Sequence, residues 1–204
     1  MILTLRGTPF LYEGDEMGMT DSPFKKLADY EDVAVKNAYK AEVETGKMPA
    51  AVFLADQARV SRDNARTPMQ WDSSPEAGFT TGRHPWLAVN PNYRQINAAE
   101  EESDPASVLN YVRKLIRLRA HTLAFVYGDY EDLDPQNETI YAYTRSLGAK
   151  KYLVVENFSS GSVRYTLPGG LRADVLLLSD IPSSHQANAS VLTLAPWECR
   201  IYQQ

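Results

Sequence analysis

The sequence predicts an α+β chain, helical in its first part and all-β antiparallel in its second. Three observations carry this. Apolar residues recur at helical spacing only before Phe125, and beyond it the pattern changes to period two. Seven short β-rich runs then follow at close spacing, separated by Gly, Pro, Asn and Ser, as in an antiparallel sandwich or barrel. The 204 residues, 44% of them apolar, suffice for one large or two small domains with a buried core. The expected division is 1–124 and 125–204.

Taken in order, Leu3 to Arg6 reads as a helix end with Gly7 as its cap, and Pro9 to Tyr12 as a short, fully buried strand bounded by turn residues. Tyr30, Val33, Ala34, Asn37, Ala38 and Ala41 give a weakly apolar helical face over Asp29 to Val43. A second helix over Ala50 to Val60 follows Pro49. Ser61 to Asn97 has no periodicity but carries Trp71, Phe79, Trp86 and Tyr93, so an ordered, functional loop is expected. Asp104 as N-cap and Pro105 at the first turn open a helix to Arg119, with Val108, Val112, Leu115, Ile116 and Arg119 on one face. Arg113, Lys114 and Arg117 form its solvated side, with cations toward the C-terminus where the helix dipole favours them. The β runs are Val126 to Leu133, Thr139 to Arg145, Lys151 to Phe158, Val163 to Leu167, Ala173 to Leu178, Val191 to Leu194 and Glu198 to Tyr202.

Composition narrows the function classes. A net charge of −5 with dispersed Lys and Arg argues against a nucleic-acid partner, which would call for a basic stripe. The apolar stretches fall short of the ~20 residues that cross a bilayer, and no signal-like segment follows Met1, so no membrane partner and a cytoplasmic location are expected. Cys199 is the single cysteine, which excludes an internal disulfide and a cysteine-based metal site. The glycosylation-type triplets at Asn137, Asn157 and Asn188 read as ordinary turns. No phosphate loop or dinucleotide fingerprint is present, and no cofactor or metal is expected. His84, His121 and His185 lie far apart without a triad-like setting and read as surface or helix-end residues.

Two groups of residues could carry chemistry. Glu13, Asp15 and Glu16 follow the first strand; as paired carboxylates they could act in glycoside hydrolysis, or they could cap the next turn and rim a pocket. The segment Ser61-Arg62-Asp63-Asn64-Ala65-Arg66-Thr67-Pro68-Met69-Gln70-Trp71-Asp72 combines forked hydrogen-bond donors with an aromatic platform, which suits sugar recognition and equally an internal Arg–Asp network.

At these segments the sequence resembles a known family. Arg6 to Met19, the Arg62 segment, Ala77-Gly-Phe-Thr-Thr-Gly82, Pro85-Trp86 and Val89-Asn-Pro-Asn-Tyr93 are similar to the C-terminal part of oligo-1,6-glucosidases and related α-glucosidases, in the α-amylase superfamily, glycoside hydrolase family 13. The resemblance is strong to Arg119 and looser in the β-rich tail. It implies that Thr8 to Tyr12 is the eighth strand of a (β/α)8 barrel, that 1–124 is the end of that barrel, and that 125–204 is the family's β-domain. Arg62 is implied to reach the non-reducing-end glucose, with Asp63, Asn64 and Arg66 shaping the loop. The family's nucleophile, acid and transition-state aspartate would all precede Met1, which leaves Glu13, Asp15 and Glu16 as rim residues and no catalytic residue in this chain. The implied partners are a glucose-containing oligosaccharide and either the rest of the barrel or a second copy. Trehalose synthases and sucrose isomerases resemble this stretch as well. A complete barrel takes ~250 residues, so this length is read as a barrel's end plus one small domain.

Overall fold

The structure is a computed structural model that describes residues 1–181 and 188–204. His185 lies outside the described residues. The chain forms two compact units, one of residues 11–112 and one of residues 1–10 with 113–204.

In the first unit, α1 (Val33–Glu42) and α2 (Ala50–Val60) pack through Val35, Phe53, Phe24, Tyr30 and Leu87, all buried. Tyr39 meets Phe53 edge-on at 5.5 Å. The 61–97 segment is ordered, as expected, and side chains supply the order that periodicity does not. Gln70, fully buried, donates to Asn92 Oδ1 and Ile96 O, and Asn90 Nδ2 donates to Thr20 O at 2.9 Å. Asn and Gln amides thus satisfy main-chain groups that a ladder would otherwise pair. A short helix not foreseen from sequence, α3 (Ala98–Ser103), is capped by Asn97, whose Oδ1 accepts from Glu100 N. It displaces the expected helix start: α4 (Val108–His121) opens after Ser107, whose Oγ accepts from Asn110 N, while Asp104 Oδ1 closes the preceding turn on Ala106 N.

Residues 8–12 take no strand conformation, and Phe10 is 86% exposed. The burial expected for this run is absent because a barrel strand is made by hydrogen bonds to its two neighbours, and among the described residues no strand pairs with it.

The second unit is the antiparallel β-domain. All seven strands appear: β1 (Asp129–Asp132), β2 (Ile140–Leu147), β3 (Lys150–Asn157), β4 (Val163–Thr166), β5 (Val175–Ser179), β6 (Val191–Leu194) and β7 (Cys199–Gln203). The first sheet has the order β1-β2-β3-β7-β5 and the second pairs β4 with β6. Alternation assigns the faces. Ile140, Ala142, Leu153, Val155 and Tyr202 turn to a core shared with Tyr165, Leu192 and Leu194. On the opposite face Tyr152 meets Phe125 of α5 (Leu123–Tyr127), ring centroids 5.2 Å apart. The run expected to be extended from Val126 therefore begins as a helical turn and becomes a strand only after Gly128. A Cβ on Gly128 would lie 2.4 Å from Ala124 O and 2.7 Å from Ser146 O, so only glycine lets helix and strand approach here.

Two buried arginines hold the first residues of the chain in this unit. Arg119 donates to the carbonyls of Leu3, Leu5, Gly7 and Phe125, and Arg145 to those of Thr4, Phe125 and Gly128. Burial, then the neighbouring Arg119 charge, pulls the Arg145 guanidinium below its usual range. A further pair, Glu198 with Arg200, is fully buried with Nε to Oε1 at 2.7 Å. Asn157, expected as a turn residue, is instead the buried last residue of β3, and its Nδ2 braces the turn that follows by donating to Gly161 O and Ala195 O. No helix among the described residues is long and apolar enough to cross a membrane.

Candidate functional site

The Arg62 segment is a short 3-10 turn, Arg62–Arg66, that begins where α2 ends. Ser61 stops the helix in an extended conformation, and its side chain accepts from Asp63 N. The turn faces the start of α1, where Asp32 is the N-cap: its Oδ1 accepts from Ala34 N at 2.9 Å. Asp32 carries no motif of its own in the sequence. An aspartate just before a helical stretch signals a cap, but nothing in the pattern tells that it meets a residue thirty positions on.

Arg62 grips Asp32 with a two-pronged bond, Nε to Oδ2 at 2.9 Å and Nη2 to Oδ1 at 2.7 Å. The carboxylate is 4% exposed while the Arg62 side chain is 71% exposed. The Arg62 hydrogen bond, helped by the Ala34 amide, lowers Asp32 to about 2, and the same pairing raises Arg62. The result is a guanidinium fixed on one edge and open to solvent on the other.

The neighbours behave differently. Asp63 is completely buried; its Oδ2 accepts from Glu31 N at 2.8 Å and Asp32 N at 2.9 Å, and its Oδ1 accepts from Arg66. Arg66 lies over the Trp86 ring at 5.5 Å. Asn64 accepts from Ser22 N and donates to Ala58 O. Arg62, Asp63 and Arg66 are thus gathered around Asp32 in one ion network, with Asn64 tying the turn from behind. Both sequence readings, the open donor and the internal network, have residues here.

Glu13, Asp15 and Glu16 take no part in the Asp32 network. Asp15 Oδ2 accepts from Tyr12 N and Glu16 Oε2 from Gly14 N, around the 3-10 turn Asp15–Met17. Glu13 and Asp15 line an open cleft of about 280 Å³ with Thr20, Asp21, Arg59 and Asn64. Among the described residues no group of three or more His, Cys, Asp or Glu is placed to hold a metal ion.

A helical segment that carries a guanidinium–carboxylate turn at residues 62–66 and is followed from residue 129 by an antiparallel β-domain is in keeping with the resemblance. Residues 1–128 match the alpha-amylase catalytic domain and residues 140–201 the alpha-amylase SusG C-terminal domain. The chain belongs to the alpha-amylase family and consists of the end of its catalytic barrel followed by a β-sandwich domain.

Its relatives are carbohydrate-active. The oligo-1,6-glucosidase of Parageobacillus thermoglucosidasius is 41% identical over 202 residues, which are 98% of this chain and 36% of that protein. The glucan 1,6-alpha-glucosidase of Streptococcus pneumoniae is 39% identical over 194 residues, 95% of this chain and 35% of that one. Among solved structures, isomaltulose synthase from Erwinia rhapontici, a mutant in complex with D-glucose, superposes with a TM-score of 0.92 at 51% identity over 99% of this chain and 36% of that chain. A trehalulose synthase mutant gives 0.95 at 50% identity, with 99% and 36% covered. The chain therefore spans about 36% of the length of the curated relatives it matches.

Proposed function

We propose that this chain is the C-terminal portion of a retaining α-glucosidase that releases glucose from the non-reducing end of short, α-1,6-linked oligosaccharides in the cytoplasm. In that protein 1–124 ends the barrel and 125–204 is the β-domain, and the family matches ending at 128 and beginning at 140 support this division. The observation that supports the sugar role most directly is Arg62, whose guanidinium is held by Asp32 and still largely exposed. A donor fork already fixed loses little entropy when it meets sugar hydroxyls. Asp63, Asn64 and Arg66 keep the turn in shape.

Retention of configuration requires a nucleophilic carboxylate and an acid about 5 to 5.5 Å apart across the scissile bond. We place both outside these 204 residues, because the segments that carry the family's catalytic carboxylates are not found among them; Asp15 and Glu16 are engaged in closing their own turn. The chain alone then does not hydrolyse. The exposed Phe10, Leu11 and Tyr12 support docking on the rest of a barrel, or on a second copy.

A second reading is favoured by the identity figures. Isomaltulose and trehalulose synthases share 50 to 51% of residues with this chain, against 41% for the oligo-1,6-glucosidase. In such an enzyme the glucosyl unit would pass to a sugar hydroxyl in place of water.

The test fuses this chain to the remaining, N-terminal part of the Parageobacillus oligo-1,6-glucosidase. The fusion is expected to release glucose from isomaltose, Arg62→Ala to cut kcat/KM at least tenfold, and the chain alone to give none. Turnover by the chain alone, abolished at Glu13 or Asp15, would overturn the proposal. Sucrose converted to an isomer by the full-length parent would select the second reading.

A further inference from the structure

The 61–97 segment holds a second cleft, built from residues the Arg62 network does not use. It is an open cleft of about 500 Å³, within the range of small-molecule sites, and Glu76, His84, Pro85, Pro91 and Tyr93 line it. Glu76 sits on an unusual piece of backbone. Glu76 (φ 54°), Ala77 (φ 55°) and Gly78 (φ 66°) are three successive left-handed residues, two of them carrying a Cβ. L residues rarely hold that conformation, and where they do the surroundings must enforce it.

The enforcement is visible. Ala77 is completely buried, its carbonyl accepts from both Trp71 N at 2.9 Å and Asp72 N at 3.2 Å, and Phe79 N donates to Glu76 O at 2.9 Å. This explains why the turn is left-handed at Ala77. It does not explain a glutamate at the position before, where glycine would make the same turn without strain. What glutamate adds is a carboxylate on a residue that lines the cleft.

The lining identifies a ligand class. A carboxylate accepts from two vicinal hydroxyls at once, an imidazole gives one donor and one acceptor, a phenol gives either, and two proline rings offer apolar surface to a C–H face. With Glu76 as the one acidic group in the lining, and no Lys or Arg there, a neutral polyol fits better than a phosphate or a carboxylate. We propose that this cleft binds one hexose unit of a short α-glucoside, as a site separate from Arg62, with Glu76 and His84 as its hydrogen-bonding groups; the choice of an α-glucoside rests on the function proposed above.

The test is calorimetric titration of the chain alone with isomaltose, beside thermal melting of each variant. Glu76→Gly is expected to weaken isomaltose binding at least tenfold while the Tm stays level or rises, since glycine tolerates φ 54°. His84→Ala, at an exposed position, is expected to weaken it at least threefold at unchanged Tm, and Arg62→Ala to leave this site's affinity within twofold. Absence of isomaltose binding by the wild-type chain overturns the proposal, as does Glu76→Gly binding like wild type, or the whole of the binding disappearing in Arg62→Ala. Spermidine binding that is stronger than isomaltose binding and lost in Glu76→Gly also overturns it, since the cleft would then be a cation site. The glucosidase reading is judged by turnover of the fusion and this one by binding to the chain alone, so either can fail while the other stands.

Discussion

Asp63→Ala should be the most damaging single change in the Arg62 turn, although Asp63 touches no solvent. Its carboxylate accepts from the amides of Asp32 and Glu31 and from Arg66. Alanine leaves the buried Asp32 amide without an acceptor, at about 2 kcal/mol, and the part-buried Glu31 amide at about 1 kcal/mol. The Arg66 side chain is 34% exposed, so water replaces most of that interaction and its loss costs about 0.5 kcal/mol. The expected total is about 3 to 4 kcal/mol for the unit of residues 11–112. The assay is urea unfolding followed by the fluorescence of Trp71 and Trp86 in a Trp197→Phe background, which silences the tryptophan of the other unit. Asp63→Asn keeps one acceptor oxygen for the two amides and should lose about half as much. A loss below about 1 kcal/mol in Asp63→Ala, or equal losses in the two variants, would refute the claim that amide satisfaction dominates over the ion pair.

Three further outcomes follow from the same structure. Asp32 is lowered in the folded chain to about 2, below the unfolded carboxylate value of about 4, so its contribution is complete above that value and is lost as pH falls from there towards 2. Carbon-detected NMR titration of Asp32 should show this, and Arg62→Ala should move its midpoint upward. Gly128→Ala forces a methyl against two carbonyl oxygens and should cost about 1 to 3 kcal/mol, read as a lowered Tm of the β-rich unit. Glu198→Ala strands the buried Arg200 and should cost about 3 to 5 kcal/mol by denaturant titration, more than any exposed pair such as Lys47 with Glu42.

What the sequence discloses depends on how local the cause is. The strands from Ile140 to Gln203 are legible because short β-rich runs are set off by turn residues; Tyr152 to Val155 carries no alternation and is buried throughout, as befits a central strand covered on both faces. Ala98–Ser103 is not legible: its six residues carry no apolar periodicity, and its first amides are fixed by the carbonyls of Gln70 and Trp71, far back in the chain. The Arg62 motif announces itself, whereas its partner Asp32 does not, because a cap and an ion-pair partner have the same local signature. Pro9 to Tyr12 shows the opposite error, in which an apolar run promises burial that needs strands from elsewhere. The Glu76 cleft depends on a backbone twist that no residue pattern around Glu76 and Ala77 encodes.

The grip of Arg119 and Arg145 on main-chain carbonyls has a consequence for variation. A contact made to oxygen atoms common to all residues is blind to side-chain identity. The half-exposed Leu5 and the exposed Arg6 are therefore free to drift, while the two guanidiniums, each serving several oxygens from a rigid plane, have no equivalent even in lysine. In a saturation scan the tolerance would be inverted from ordinary expectation: the buried charges would be immutable, and the backbone stretch they hold would accept nearly anything at those two positions.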